Sequence, residues 1–185
     1  MKNALLVIDA QQELIDGNKE EQAVFNKETL LKNINVVIEQ GLEAGAESLF
    51  VRDLDVAEGK GGGFEVHSEI HVPEGAAFFD KKATNAFYDT SLLNHLKEKE
   101  ITHVVIMGCK TEHCIDTAVR MATVNGLDVT LVGDAHSTTD STILKAQQII
   151  EHHNKILHGH YNVNNFSVVR KTGEDLFSPI HDQYR

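Results

Sequence analysis

Three residue types in this chain could cooperate in breaking a polar covalent bond: an acid, an amine and a thiol. Asp9 directly follows the apolar run Ala4-Leu5-Leu6-Val7-Ile8, and Lys81 follows Ala76-Ala77-Phe78-Phe79-Asp80. Cys114 lies six residues past Gly108, the residue that ends Val104-Val105-Ile106-Met107. A thiolate is the nucleophile in cysteine chemistry, and a helix N-terminus lowers a thiol pKa through its unpaired N–H groups and dipole. The pattern puts Cys114 at the start of a helix, so a lowered pKa is expected. A carboxylate in reach can take the thiol proton and later hand it to a leaving amine. A nearby ammonium stabilises both anions. The turn Cys109-Lys110-Thr111-Glu112-His113 could aim backbone N–H groups at a developing oxyanion. Each residue also has a plainer reading: Asp9 as a cap, Lys81 as a solvated surface charge, and both cysteines as small buried hydrophobes. Spacing alone leaves the two readings open.

The elements that must position these residues follow from periodicity. Strands are expected at 4–8, 48–52, 76–80, 104–107, 129–132 and 166–169. Helical spacing runs from Lys27 to about Ala44, through Leu92, Leu93 and Leu96, from Cys114 to about Asn125, and from Thr142 to about His153. Fully apolar strands alternating with helices imply βαβ units, a mainly parallel sheet of about six strands, and helices on both faces in a three-layer α/β/α domain. The spacing leaves no room for a second core, so residues 1–185 are read as one domain. In such sheets ligands bind beyond the carboxyl ends of the strands, where strand order reverses, and Asp9, Lys81 and Cys114 all fall on that edge. The long irregular stretch from Asp53 to about Gly75 is expected to shape one wall of the site. There is no Gly-x-Gly-x-x-Gly after the first strand and no phosphate-binding Gly-Lys-Ser/Thr loop, so a nucleotide fold is unsupported.

Composition narrows the function classes. The chain has 185 residues with 17 Lys and Arg against 28 Asp and Glu, a net charge of −11. That balance argues against nucleic acid, where affinity comes from cations replacing counterions on phosphates, and against anionic membrane surfaces. No apolar run approaches the roughly 20 residues that span a bilayer, and Met1-Lys2-Asn3 leads into a strand rather than a signal peptide. A cytoplasmic location is expected. Two cysteines, Cys109 and Cys114, are too few for a disulfide framework.

Four segments in order carry a family resemblance: Leu6-Val7-Ile8-Asp9-Ala10-Gln11; Lys81-Lys82-Ala83-Thr84-Asn85-Ala86-Phe87-Tyr88-Asp89-Thr90-Ser91-Leu92; Gly108-Cys109-Lys110-Thr111-Glu112-His113-Cys114-Ile115-Asp116-Thr117-Ala118; and Val132-Gly133-Asp134-Ala135. With them the chain resembles the isochorismatase-like cysteine hydrolases, which include nicotinamidases and N-carbamoylsarcosine amidase. The resemblance implies a catalytic triad of Asp9, Lys81 and Cys114 that cleaves the C–N bond of a small amide or ureido compound through a thioester. Lys82 is a rival for the lysine, but the step of four residues to Asn85 selects Lys81. The resemblance also implies an oxyanion hole of the Lys110 and Cys114 backbone N–H groups and a cis peptide between Cys109 and Lys110. Cys109 is read as core. Gln11, Phe87 and His113 flank the motifs and are expected near the substrate pocket.

Nicotinamidases of this family carry a metal site built around Asp-x-His after the second strand. Here that place reads Asp53-Leu54-Asp55. His67 and His71 stand four apart, but three or four ligands are needed and no third accompanies them, so no metal and no cofactor is expected. The cluster His152, His153, His158 and His160 reads as a solvated helix end. Two alternatives to the amidase remain: a vinyl ether hydrolase of the isochorismatase type, and a non-catalytic binding or scaffold protein on the same fold. A small amide-like substrate, no nucleic-acid or membrane partner, and a homodimer or homotetramer are expected.

Overall fold

The computed structural model describes residues 2–178. In chain order the elements are β1 (Asn3–Ile8), α1 (Gln12–Asp16), α2 (Lys27–Glu43), β2 (Glu47–Asp53), α3 (Gly61–Phe64), β3 (Ala77–Lys81), α4 (Leu92–Glu98), β4 (His103–Cys109), α5 (Asp116–Val124), β5 (Asp128–Ser137), α6 (Ala146–Leu157), β6 (His160–Asn162) and β7 (Asn165–Arg170). The seven strands form one sheet in the order β3-β2-β1-β4-β5-β7-β6. All pairs are parallel except β6 with β7. This is the expected three-layer α/β architecture, with one strand more than the periodicity gives. β6 escapes the pattern because it is three residues long, polar at both ends, and joined to β7 by a tight turn with Val163 at φ +53°.

Alternate residues of β1 feed opposite cores, which is why the strand is apolar from Ala4 to Ile8. Ala4, Leu6 and Ile8 pack with Leu49, Val104, Ile106 and the α5 residues Ala118, Val119 and Ala122. Leu5 and Val7 pack on the other face with Val105, Met107 and the α2 stripe Leu30, Leu31, Ile34, Val37 and Ile38. The two cysteines separate in the same way. Cys114 belongs to the first cluster and Cys109 to the second.

Two helix boundaries differ from the periodic expectation. The helix expected from Thr142 starts at Ala146, because the segment before it folds into a turn on Ser141 and the Asp140 carboxylate accepts from the Ala146 N–H at 2.9 Å. The helix expected from Cys114 begins at Asp116, preceded by a wide π-type turn over Thr111–Ile115. Cys114 therefore sits inside a helical turn rather than at an open N-terminus. The stretch from Asp53 to Gly75 carries a short 3-10 turn, Val56–Gly59, and α3.

The strand order reverses between β1 and β4, and the backbones there approach unusually closely. Gly108 pairs with Ile8 at φ +124°, and a Cβ on it would stand 1.9 Å from the Ile8 carbonyl oxygen. Because the obstacle is backbone, no side-chain movement can relieve it. Replacement Gly108→Ala should therefore destabilise the fold by roughly 3 kcal/mol or more, summing a left-handed backbone and an overpacked contact. Chemical denaturation of the two proteins measures this; a midpoint unchanged from the parent would contradict the close approach.

Candidate active site

Lys81 is the last residue of β3 and pairs in register with Asp53, the last residue of β2. Asp9 follows β1 in the left-handed region, φ +49°, and its N–H donates to the Val51 carbonyl at 2.9 Å. The three strand ends thus converge on one point. The Lys81 ammonium lies 2.9 Å from Asp9 Oδ2, donates to Asp53 Oδ2, and donates to Cys114 Sγ at 3.4 Å. An ammonium has three N–H groups, and all three have acceptors here. Burial alone would draw the Lys81 ammonium down, but Asp9, Cys114 and Asp53 together hold it above the usual lysine range.

Burial pushes the Asp9 carboxyl up to about 6, against the pull of Lys81. Its Oδ1 is buried and has no hydrogen-bond partner. Burial, followed by the Asp9 carboxylate, pushes the Cys114 thiol up to about 12, with Lys81 opposing. This reverses the lowered thiol pKa expected from a helix start. The turn around Cys114 does not present it at an open helix end, and desolvation beside an anion outweighs the nearby ammonium. Asp9 is thus the group that carries charge near neutral pH, and Cys114 the one that carries the proton. Burial pushes the Cys109 thiol far above the ordinary range, consistent with its place in the core.

Asp9 and Cys114 lie in the floor of a cleft of about 390 Å³. Leu14 and Asn18 line one part, and Asp53, Asp55, Val56 and Ala57 line another, so the loop after β2 does form a wall. His113 and Lys110 also face it. Gln11 and Phe87 do not line it, and their expected place near the pocket is corrected. The Gln11 side chain is fully buried: its amide donates to the Asp53 carbonyl at 3.1 Å and the Phe64 carbonyl at 2.9 Å, and accepts from the Asp53 N–H at 2.8 Å. It braces the exit of β2. Phe87 packs in the core beneath α4 and α5. Lys82, the rival lysine, is exposed.

Periodicity and spacing miss two contributors. Asp53 is legible only as a failed metal motif, yet it is the second carboxylate on Lys81. The other is a buried relay behind the 110–114 turn. The Thr111 hydroxyl meets His136 Nδ1 at 2.9 Å, His136 Nε2 meets Asn154 Oδ1 at 2.9 Å, and Asn154 Nδ2 donates to the Gly133 carbonyl at 2.9 Å. Since the Asn154 amide nitrogen is committed to Gly133, its oxygen accepts from Nε2–H, which leaves Nδ1 to accept from Thr111. Burial drives His136 down to about 4, so the ring is neutral at pH 7. The relay ties α6 and β5 to the turn that holds Cys114. The peptide between Cys109 and Lys110, at the head of that turn, is cis.

Asp9, Asp53 and Cys114 offer ligand atoms all within 4.8 Å of one another, the one such group among the described residues. The Lys81 ammonium already bonds to all three, so the group fits an ammonium rather than a metal ion. His67 is buried, not a polar loop histidine as its surroundings suggest. Its Nε2 lies 3.3 Å from Asp16 Oδ1 and its Nδ1 accepts from the Glu69 N–H, so both ring nitrogens are engaged, while His71 is exposed. In the second histidine cluster His153 Nδ1 bonds to the Ile149 carbonyl and His158 Nδ1 accepts from the Val169 N–H, which ties them to helix and sheet. No helix among the described residues is long and apolar enough to cross a membrane.

Comparison with known proteins gives a consistent result. A model of the isochorismatase domain matches residues 3–152. The uncharacterized isochorismatase family protein YrdC of Bacillus subtilis is 29% identical over 139 residues, covering 72% of this chain and 73% of that protein. Streptothricin hydrolase of Streptomyces noursei is 27% identical over 145 residues, covering 74% of this chain but only 55% of that protein. The crystal structure of N-carbamoylsarcosine amidase from Thermoplasma acidophilum shares the fold, with a TM-score of 0.73 at 23% identity over 94% of this chain and 98% of that one. With its sheet, its convergent strand ends and a matching domain that spans most of its length, the chain belongs to the isochorismatase family of hydrolases.

Proposed function

We propose that this protein is a cysteine hydrolase of the amidase type, cleaving the C–N bond of a small amide or ureido compound through a thioester at Cys114. The observation that carries the reading is the buried ammonium of Lys81 held at once by Asp9, Asp53 and Cys114, three residues that line the cleft. An acid, a thiol and a cation in contact can move one proton without leaving a charge unbalanced.

The sequence of events follows from the proton positions. Asp9 takes the thiol proton as Cys114 Sγ attacks the carbonyl carbon, and the backbone N–H groups of Lys110 and Cys114 receive the oxyanion. The C–N bond then breaks, the Asp9 proton passes to the departing nitrogen, and the acyl group stays on sulfur. Asp9, again a carboxylate, removes a proton from water. The hydroxide adds to the thioester carbonyl, the C–S bond breaks, and the acid leaves as Cys114 recovers its proton. One mobile negative charge passes from Asp9 to the oxyanion and back in acylation, and through the oxyanion and sulfur in the release of the acid. A vinyl ether hydrolysis would leave Cys114 and its contact with Lys81 without a task, and the same holds for a binding or scaffold role.

Ammonia release from a panel of primary amides and ureido compounds tests the reading. Cys114→Ala should lose roughly ten-thousand-fold in kcat/KM on any substrate the parent turns over. Retained turnover would end the thioester scheme. Lys81→Met should lose on the order of a hundredfold in turnover. It should also lose about 3 kcal/mol of stability, because it strands two carboxylates. Lys82→Met, at an exposed site, should stay within about 0.5 kcal/mol of the parent with its turnover intact. The pH profile supplies a separate check. Because the attacking step needs Asp9 ionised and its carboxyl is raised to about 6, kcat/KM should climb through that pH and level off above it. A profile already flat from pH about 4.5 upward would contradict this role for Asp9.

A further inference from the structure

The cleft is a ligand site on grounds independent of its charge: Asp9 and Cys114 line it, and the buried Oδ1 of Asp9 has no hydrogen-bond partner. What its walls add is an excess of acid. Five carboxylates line it, from Asp9, Glu13, Glu21, Asp53 and Asp55. Lys81 answers Asp9 and Asp53, and Lys110 answers Glu21 at 2.7 Å. Glu13 and Asp55 have no cationic partner among the described residues. His113, the remaining titratable group on the walls, is exposed and lies 3.8 Å from Glu112.

Glu13 is also held in place. Its Oε1 accepts from Asn18 Nδ2 at 2.8 Å, and its side chain lies against the bare Cα of Gly63 in α3. A Cβ at Gly63 would stand 2.7 Å from Glu13 Oε2 and 3.2 Å from Glu13 Cβ. Leu14, Val56 and Ala57 supply the apolar part of the lining. An anionic substrate would meet two unpaired carboxylates on entry, while a cation would find both waiting.

We infer that the substrate carries a positive charge, a primary ammonium or a guanidinium, on a short aliphatic stem beside the bond that is cleaved, with Glu13 and Asp55 as the residues that select it. This rests on the amidase reading for the bond but not for the charge. The selectivity belongs to the cleft, so a cationic reagent should reach Cys114 ahead of an anionic one even if no amide is turned over.

The test uses two methanethiosulfonates of matched size, one bearing a trimethylammonium group and the other a sulfonate. Each reacts when Cys114 sulfur displaces methanesulfinate to form a disulfide, and each rate is divided by that of a free thiol, mercaptoethanol. Adducts are assigned by peptide mass to separate Cys114 from Cys109. The normalised rate ratio of cation to anion should be about tenfold or more in the parent. It should fall at least fivefold in Glu13→Gln with Asp55→Asn, and stay unchanged in Glu43→Gln with Glu98→Gln, which removes the same charge from exposed helix positions outside the cleft. A parent ratio near one, or an equal fall in both double variants, would overturn the inference. In parallel, 5-aminopentanamide should exceed hexanamide and glutaramate in ammonia release. If no amide is turned over, the hydrolase reading is the one that fails, and the thiosulfonate ratio still decides the charge of the cleft.

Discussion

A buried ammonium is tolerated only when its three N–H groups and its charge are both answered, and Lys81 meets that condition with no acceptor to spare. Two carboxylates and one sulfur surround it at the ends of three strands and one turn. Removing a charge of this kind from water costs several kcal/mol before any partner is counted. The partners must therefore arrive in fixed register. The pairing of Asp53 with Lys81, the hydrogen bond from the Asp9 N–H to Val51, and the Gln11 brace on both backbone groups of Asp53 meet that demand. Gly108 serves it too, since its missing Cβ lets β4 lie against β1 and bring the Cys114 turn within reach of the same ammonium.

The same constraint orders the chemistry. Burial disfavours a charged sulfur and the Asp9 carboxylate adds to the cost, which raises the thiol to about 12, while burial raises the neighbouring Asp9 carboxyl to about 6. The nucleophile is formed only as Asp9 takes its proton, so charge moves across the group without accumulating. The turn that carries Cys114 is held from behind by Thr111, neutral His136 and Asn154. In front of it stands a cleft whose unpaired acids are at its walls rather than at the reacting centre. The mobile charge beside Lys81 and the unpaired acids of the walls serve different ends: one governs the proton, the other the choice of ligand.

The sequence makes some of this legible and hides the rest for identifiable reasons. Strands buried on both faces read clearly from their unbroken apolar runs, residues 4–8 in β1 and 104–107 in β4, so these strands and the residues just after them are plain. Asp9, Lys81 and Cys114 were legible as strand-end chemistry, and the four-segment resemblance set them above their plainer readings. β6 was not legible, being three residues of a hairpin without an apolar run. The placement of Gln11 and Phe87 near the pocket failed because position beside a motif says nothing of side-chain direction. Gln11 turns into the β2 exit and Phe87 into the core. The thiol pKa failed for a related reason. A helix start can be read from spacing, whereas desolvation beside a carboxylate depends on contacts made across the sheet. His136 stands far from Thr111 in sequence, and no local pattern links them.

The resting position of the shared proton decides how the nucleophile forms, and the ultraviolet absorbance of the Cys114 thiolate reports it without any substrate. The measurement is a pH titration of the parent from about pH 4 to about pH 9, with the Cys114→Ala protein subtracted. The expected result is no thiolate step in that range, the ionisation near pH 6 belonging to Asp9. A thiolate step centred near pH 6 would contradict it, placing the proton on Asp9 and a preformed thiolate against Lys81.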